Sequence, residues 1–504
     1  MDSERGLAVP QSQTPGDSVI KFRLGNVRYR PPALAAGFAP LTLAALLATV
    51  RGPARPASSA GVTDGSRMQL AARSRMLVLL VAVPLIFLGC GLAGWSRGWA
   101  LGVDSSVYRA GAVLLLHGHS LYDVSGLGYL HLSFTYPPAA ALVFTPLAAL
   151  PAQLAWAVMA SASVLALVLV IRVAIAAVPY WRFPARWSTL LLAAAMLGLV
   201  PVWRTIGLGQ VNVVLMAMVA VDVLAVTARG SRWGGLLTGV AAAVKLVPLI
   251  FIGHLFLTGK RAAAARALAV FAGLQGLTLA IAPQDRAYWT SYVFQTGRIG
   301  PAQQPYNQSL DGLVARLTGA APWSAHAAWA VGAVLAVPAL MLVLRYHRRG
   351  QDLAALCVTA CFGLLLAPVS WLPCWVWIAP ILVALLSWLQ AAWRGTGQRQ
   401  AGRWQRWAGA GAVIGVIAVF ASTYSVPLSQ QRHRTLGSFW FFVLSNPYVL
   451  TTIAIALVLG LCALRRAGRR QFEEDTQRDD AAAPFCYTDT ARDDRRVVTG
   501  ASAR

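Results

Sequence analysis

The sequence predicts an all-α, polytopic membrane protein. Three observations carry that expectation. Apolar residues make up 57% of the 504 and charged residues 12%, about half the charged share of an average soluble chain. Apolar runs of roughly 17 to 22 residues recur along the chain, about the length that crosses a bilayer core. Short basic clusters separate those runs. The runs are continuous rather than alternating, which argues against a β-barrel.

The net charge of +25 raises the possibility of a nucleic-acid partner. The distribution answers it: the basic residues sit between apolar runs, as the positive-inside rule requires, and no nucleic acid is expected. Cys90, Cys357, Cys361 and Cys462 fall inside apolar runs and read as small hydrophobes, while Cys486 falls in a polar tail. Cys357 and Cys361 share a helix face with no His or acid beside them, so no metal site is expected there.

Residues 1–75 are rich in Pro, Ser, Gly and Arg and read as a disordered extension, with Met68 and Met76 as alternative starts. The first span is expected at 76–95, "MLVLLVAVPLIFLGCGLAGW". Arg73 and Arg75 set its N-terminus inside, so Asp104 emerges outside. An outer segment over 96–150 follows. Further spans are expected at 152–173, 187–203, 210–227, 262–282, 327–345, 352–368, 375–393, 407–422 and 447–464. The stretch 234–257 is flanked by basic residues at both ends and must enter and return. Lys245 and Pro248 mark its break, which gives two short helices meeting at membrane depth. The total is about twelve membrane helices, some short or re-entrant, with both termini inside. The membrane domain covers 76–465, and 466–504 reads as a disordered cytoplasmic tail.

The outer segments hold the chemistry. Asp104 opens "VDSSVYRAG", with Tyr108 and Arg109 following. One reading is a solvated loop acid. The other is a partly desolvated general base at the bilayer edge. Tyr136 lies in "FTYPP". Arg204, Gln210 and Asn212 stand at the outer end of two spans, where amides can also cap helices. Lys245 is a cation at membrane depth, costing about 2.5 to 3.5 kcal/mol, and needs an anion or a cavity. Asp222 is one partner for it and a lipid phosphate the other. "RIGPAQQPYNQSLDGLVARL" supplies Arg298, Asn307 and Gln308, and "APVSWLPCWVW" supplies Trp371. No Walker motif, GxGxxG after a strand, HExxH or DxD pair is present. Nucleotide-driven transport, zinc hydrolysis and metal-dependent nucleotide-sugar chemistry therefore lack support.

Six stretches, in order, resemble glycosyltransferase family 87, the polyprenol-phosphate-mannose-dependent alpha-(1->2)-mannosyltransferases of actinobacteria. They are "VDSSVYRAGAVLLLHGHSLYD", "FTYPPAAALVFTPLAALP", "LGQVNVVLMAMVAVD", "GVAAAVKLVPLIFI", "RIGPAQQPYNQSLDGLVARL" and "APVSWLPCWVW". The resemblance implies a GT-C membrane fold in the plasma membrane with its active site on the outer, periplasmic face. It implies a polyprenyl-phosphate-mannose donor and a glycolipid acceptor such as a phosphatidylinositol mannoside, lipomannan or lipoarabinomannan. It also implies inversion at the anomeric carbon, with Asp104 as the base.

The leaving lipid phosphate needs positive charge, for which Lys245, Arg204, Arg298 and Arg109 are the candidates. Tyr108, Tyr136, Gln210, Asn212, Asn307, Gln308 and Trp371 are the candidate substrate contacts. No cofactor or metal is expected. One departure stands out: relatives read His-His where this chain has Pro373-Cys374. His131 or His254 would then take over a histidine's role, or the acceptor differs, or the chain is a weak or inactive paralogue. The competing functions are transfer of another sugar such as arabinose, and a non-catalytic transporter or scaffold.

Overall fold

The computed structural model describes residues 64–123, 126–179, 181, 183–394, 402–422 and 438–458. Most of the expected N-terminal extension and all of the C-terminal tail lie outside the described residues, as do Cys462 and Cys486. The chain divides into two units, 1–449 and 450–504. The second contributes only residues 450–458, which are helical. The first unit contains every element described below.

Among the described residues the fold is helical. Helix α1 (Asp64–Ser96) carries Pro84 and starts ahead of the apolar run. After α2 (Val103–Leu116) and two short helical turns, the chain enters α3 (Ala152–Ala177). α1 lies along α3, where Gly91 lets the backbones approach against Ala157 and Gln153.

The stretch expected as one span at 187–203 is two helices, α4 (Ala185–Met196) and α5 (Val200–Leu208), bent by 76°. Pro201 stands in the first turn of α5, where a missing N–H costs nothing. α6 (Asn212–Val221) runs into a π-helical turn, Asp222–Thr227.

The 234–257 stretch is broken where Lys245 and Pro248 predict. α7 (Leu236–Val244) and α8 (Leu249–Leu257) flank an extended Lys245 with φ −146° and ψ 137°. Broken backbone at membrane depth must find partners in the protein, and here it does. The Ala243 carbonyl accepts from Gln275 Nε2 at 2.9 Å. At the other end of α7, Asp222 accepts from the Gly235 and Thr238 N–H groups at 2.7 and 2.8 Å and from the Thr238 hydroxyl at 2.8 Å. A carboxylate there satisfies orphan donors and sits at the favourable end of the helix dipole.

α9 (Arg261–Ile281), α10 (Leu310–Thr318), α11 (Ser324–Arg348), α12 (Asp352–Leu366), α13 (Ile378–Arg394) and α14 (Arg403–Ala421) complete the unit's main helices. Among the described residues, five helices are long and apolar enough to cross a membrane, or up to seven when two bent pairs each count as one span. The expected twelve included short or re-entrant helices, and several apolar runs do fold as shorter pieces. Asn212–Thr227 and Asp352–Leu366 are examples, and α7 and α8 have nine residues each.

Candidate active site

Two left-handed turns bring the acid and the amides together. α2 starts after Gly102 (φ 70°), and α5 ends at Gly209 (φ 68°). Both face Ser105 and Trp156; a Cβ on Gly209 would come 2.6 Å from the Ser105 hydroxyl. Only glycine combines that φ with that closeness. Trp156 ties the end of α5 to α3 by donating from Nε1 to the Ile206 carbonyl at 3.0 Å. The result sets Asp104, one residue before Ser105, beside Gln210, one residue after Gly209.

From Asp104 a polar chain runs inward. The Gln210 side chain acts on the Asp104 carboxylate and favours its ionised form. Asn212 Nδ2 donates to Gln210 Oε1 and, at 3.1 Å, to the Pro373 carbonyl. Lys245 Nζ donates to Asn212 Oδ1 at 2.8 Å. The same ammonium is 3.6 Å from Cys374 Sγ and 5.8 Å from the centre of the Tyr136 ring. The hydroxyls of Tyr136 and Tyr108 are 2.8 Å apart, and Tyr108 stacks on Phe144 with ring centres 4.4 Å apart.

Asp104 is half-buried. Burial pushes its carboxyl up to about 6, against the Gln210 side chain and the attraction of Lys245, which pull it down. A carboxylate so tuned is still ionised at neutral pH and is a better proton acceptor than a free one. Lys245 forms no ion pair among the described residues, where the one such contact is His347–Asp352. Beside it opens an apolar pocket lined by Leu215, Met216, Val247, Phe251, Cys374 and Trp377, among others. The extended backbone at Lys245, between two helix ends, aims its side chain there.

The structure thus brings together Asp104, Tyr108, Tyr136, Gln210, Asn212 and Lys245. Asp222, the alternative partner of Lys245, is engaged instead with Thr227, Gly235 and Thr238. The other predicted residues stand elsewhere or are occupied. Arg109 donates from Nε to the Leu150 carbonyl, which fastens α2 to the re-entering chain. Arg298 donates to the Tyr122 carbonyl at 2.8 Å and covers the Tyr292 ring at 4.4 Å. Arg204 lies against the rings of Trp203 and Tyr306, at 5.6 and 5.3 Å.

Asn307 and Gln308 are fully buried. Asn307 donates to the Ala302 and Pro368 carbonyls and accepts from Ser370 N–H. Gln308 donates to the Pro305 and Ser445 carbonyls and accepts from Tyr448 N–H. Each amide latches loops to one another, which leaves it little capacity for a substrate. Trp371 bridges to Asn307 and packs on Gly300, so it belongs to the same latch. Neither proposed substitute histidine joins the cluster. His254 is buried with its Nδ1 2.8 Å from the Thr359 hydroxyl, and His131 is exposed on the 127–132 turn.

Two participants escaped the sequence. The Pro373 carbonyl accepts from both Asn212 and Thr205, each at 3.1 Å; a backbone oxygen leaves no mark in a residue pattern. Cys374 faces Lys245, and the only signal for it was its departure from the His-His pattern. Among the described residues no three His, Cys, Asp or Glu side chains stand together in a way that could hold a metal ion.

Comparison with known proteins adds a second line. Residues 134–368 match the family model described as glycosyltransferase family 87. Over 431 residues the chain is 32% identical to the polyprenol-phosphate-mannose-dependent alpha-(1-2)-phosphatidylinositol mannoside mannosyltransferase of Mycobacterium tuberculosis, covering 80% of this chain and 94% of that one. Over 348 residues it is also 32% identical to a polyprenol-phosphate-mannose-dependent alpha-(1-2)-phosphatidylinositol pentamannoside mannosyltransferase of the same species, covering 66% and 76%. Among solved structures, ArnT from Cupriavidus metallidurans bound to undecaprenyl phosphate is 14% identical and covers 77% of each chain, with a TM-score of 0.35. That likeness is too slight to bear on the assignment.

Proposed function

This chain belongs to glycosyltransferase family 87, and from that premise we propose that it is a membrane α-mannosyltransferase using a polyprenyl-phosphate-mannose donor and a phosphatidylinositol-linked mannan acceptor. The relatives' names supply the donor and acceptor classes. The observation that carries the reading onto this chain is a tuned carboxylate and an unpaired ammonium held in one polar cluster beside an apolar pocket.

In this mechanism Asp104 takes the proton from an acceptor mannose hydroxyl. The oxygen attacks the anomeric carbon, and the bond from that carbon to the phosphate oxygen breaks. The electron pair leaves with the lipid monophosphate, whose growing charge is met by Lys245. Direct attack opposite the leaving group inverts the anomeric centre. The pocket beside Lys245 takes the first units of the prenyl chain. A lipid donor in the bilayer then meets a glycolipid at the membrane edge, on the outer face of the plasma membrane.

The two relatives carry different acceptor names at equal identity, so overall identity does not choose between those acceptors. Radiolabelled transfer from polyprenyl-phosphate-mannose in membranes bearing the protein tests the reading. Mannose incorporation into phosphatidylinositol mannosides is the expected result. Incorporation only from an arabinose donor, or from none, overturns it.

A further inference from the structure

The chain from Lys245 to Asp104 has a fixed direction. An ionised carboxylate only accepts, so Gln210 must present its NH₂ to Asp104. Its carbonyl then faces Asn212, which donates from Nδ2. The second Nδ2 hydrogen goes to the Pro373 carbonyl at 3.1 Å. Oδ1 remains, and Lys245 donates to it at 2.8 Å. Asn212 is 7% exposed, and its two donors and its carbonyl are all engaged. Two amides therefore join the cation to the acid, where a direct ion pair would have neutralised both.

We infer that Asn212 is a positioning residue that makes the proton affinity of Asp104 depend on what occupies Lys245. The inference rests on the transferase reading and goes beyond it. With the pocket empty, Lys245 polarises Asn212 and, through Gln210, stabilises the negative charge of Asp104. A lipid phosphate in the pocket engages the ammonium and cancels that pull. Asp104 then becomes a stronger base at the moment a donor is in place. The ionisable groups around Asp104 agree with this route. Tyr108 on its own helix and Tyr136 on the re-entering chain are neutral partners, their hydroxyls facing each other. Arg109 is turned to the Leu150 carbonyl, and Arg204 on α5 lies against Trp203 and Tyr306. Lys245 is left as the cation that acts on Asp104.

The test follows protonation of Asp104 directly, with no transfer reaction. The purified full-length protein is titrated by infrared difference spectroscopy, and the Asp104 carboxyl band is identified by its loss in Asp104→Asn. Farnesyl phosphate and inorganic phosphate are the probes, and thermal stabilisation reports their binding. In wild type, farnesyl phosphate should raise the midpoint by about one pH unit. Asn212→Leu and, separately, Gln210→Leu should cut that rise to less than half. Gln210→Leu keeps the Lys245–Asn212 contact, so probe binding should persist in it. A rise with inorganic phosphate as well would make the headgroup alone sufficient and supports the same chain. An unmoved midpoint in wild type, or an undiminished rise in both variants, overturns the inference while leaving the transferase reading standing. No stabilisation of wild type by either probe would remove the phosphate site and the inference with it.

Discussion

The ammonium of Lys245 stands 3.6 Å from the sulfur of Cys374. At the position where the family resemblance leads one to expect a histidine pair, this chain sets a thiol against the cation of the candidate donor site. The preceding residue, Pro373, contributes its carbonyl rather than its side chain, as the common acceptor for Thr205 and Asn212. The departure from the family pattern therefore falls at the centre of the cluster.

Cys374 should make this enzyme sensitive to thiol reagents. N-ethylmaleimide should block transfer, farnesyl phosphate should slow the block, and Cys374→Ser should resist it. The reagent's bulk would fill the pocket entrance beside Lys245. Equal sensitivity of wild type and Cys374→Ser would assign the effect to another cysteine.

Cys374→His should raise activity on the acceptor used by histidine-containing relatives, since imidazole is a far stronger hydrogen-bond partner than a thiol. Pro373 is best left in place, because its carbonyl is already engaged. Equal rates for wild type and variant on every acceptor would make the departure neutral.

Asp104→Asn should lower kcat by about 10²- to 10⁴-fold, the usual worth of a positioned base. Wild-type kcat/KM, which reports the donor-free protein, should fall as pH drops through about 6, because only the ionised carboxyl accepts a proton. Stability should respond in the opposite sense. A carboxyl whose folded pKa lies above its unfolded value of 3.8 favours the fold only at acid pH, and that advantage is lost as pH rises through about 6. Asp104→Asn should therefore be the more stable protein at pH 7, by on the order of 1–3 kcal/mol, and no more stable near pH 4. Thermal melts at the two pH values check the sign.

Lys245→Met and Asp222→Ala should separate function from structure. Lys245→Met should raise the apparent KM for donor with little change in melting temperature. Asp222→Ala leaves the Gly235 and Thr238 donors at the start of α7 unsatisfied and should cost about 3 kcal/mol or more. Matching losses of stability in the two variants would make Lys245 a structural residue.

Gly209→Ala should damage the site from behind. A left-handed φ and a Cβ 2.6 Å from Ser105 together should cost about 1–3 kcal/mol. They should also displace Gln210 from Asp104 and lower kcat. Unchanged kcat in a folded Gly209→Ala would show that the Asp104–Gln210 contact does not depend on this turn.

Composition and periodicity by themselves determined the membrane class and most helix positions. A long apolar run has few alternatives to a buried helix, and Pro and basic residues mark its ends. They also marked the break at 245–248, because a cation three positions before a proline disfavours one continuous helix through a bilayer. Asp104 and Lys245 were legible as oddities for the same reason: an ionisable group in or beside lipid needs a purpose. Only the tertiary structure decided which polar residues met. Asn212 and Asn307 look alike in sequence, each an amide near an apolar run. One joins Lys245 to Gln210, while the other closes a latch on Pro368 and Ser370. The difference lies in partners far along the chain: Lys245 is 33 positions from Asn212, and Pro368 and Ser370 are 61 and 63 positions from Asn307. Hydrogen bonds saturate at short range, so their partners are chosen by how the helices pack, which local sequence does not encode.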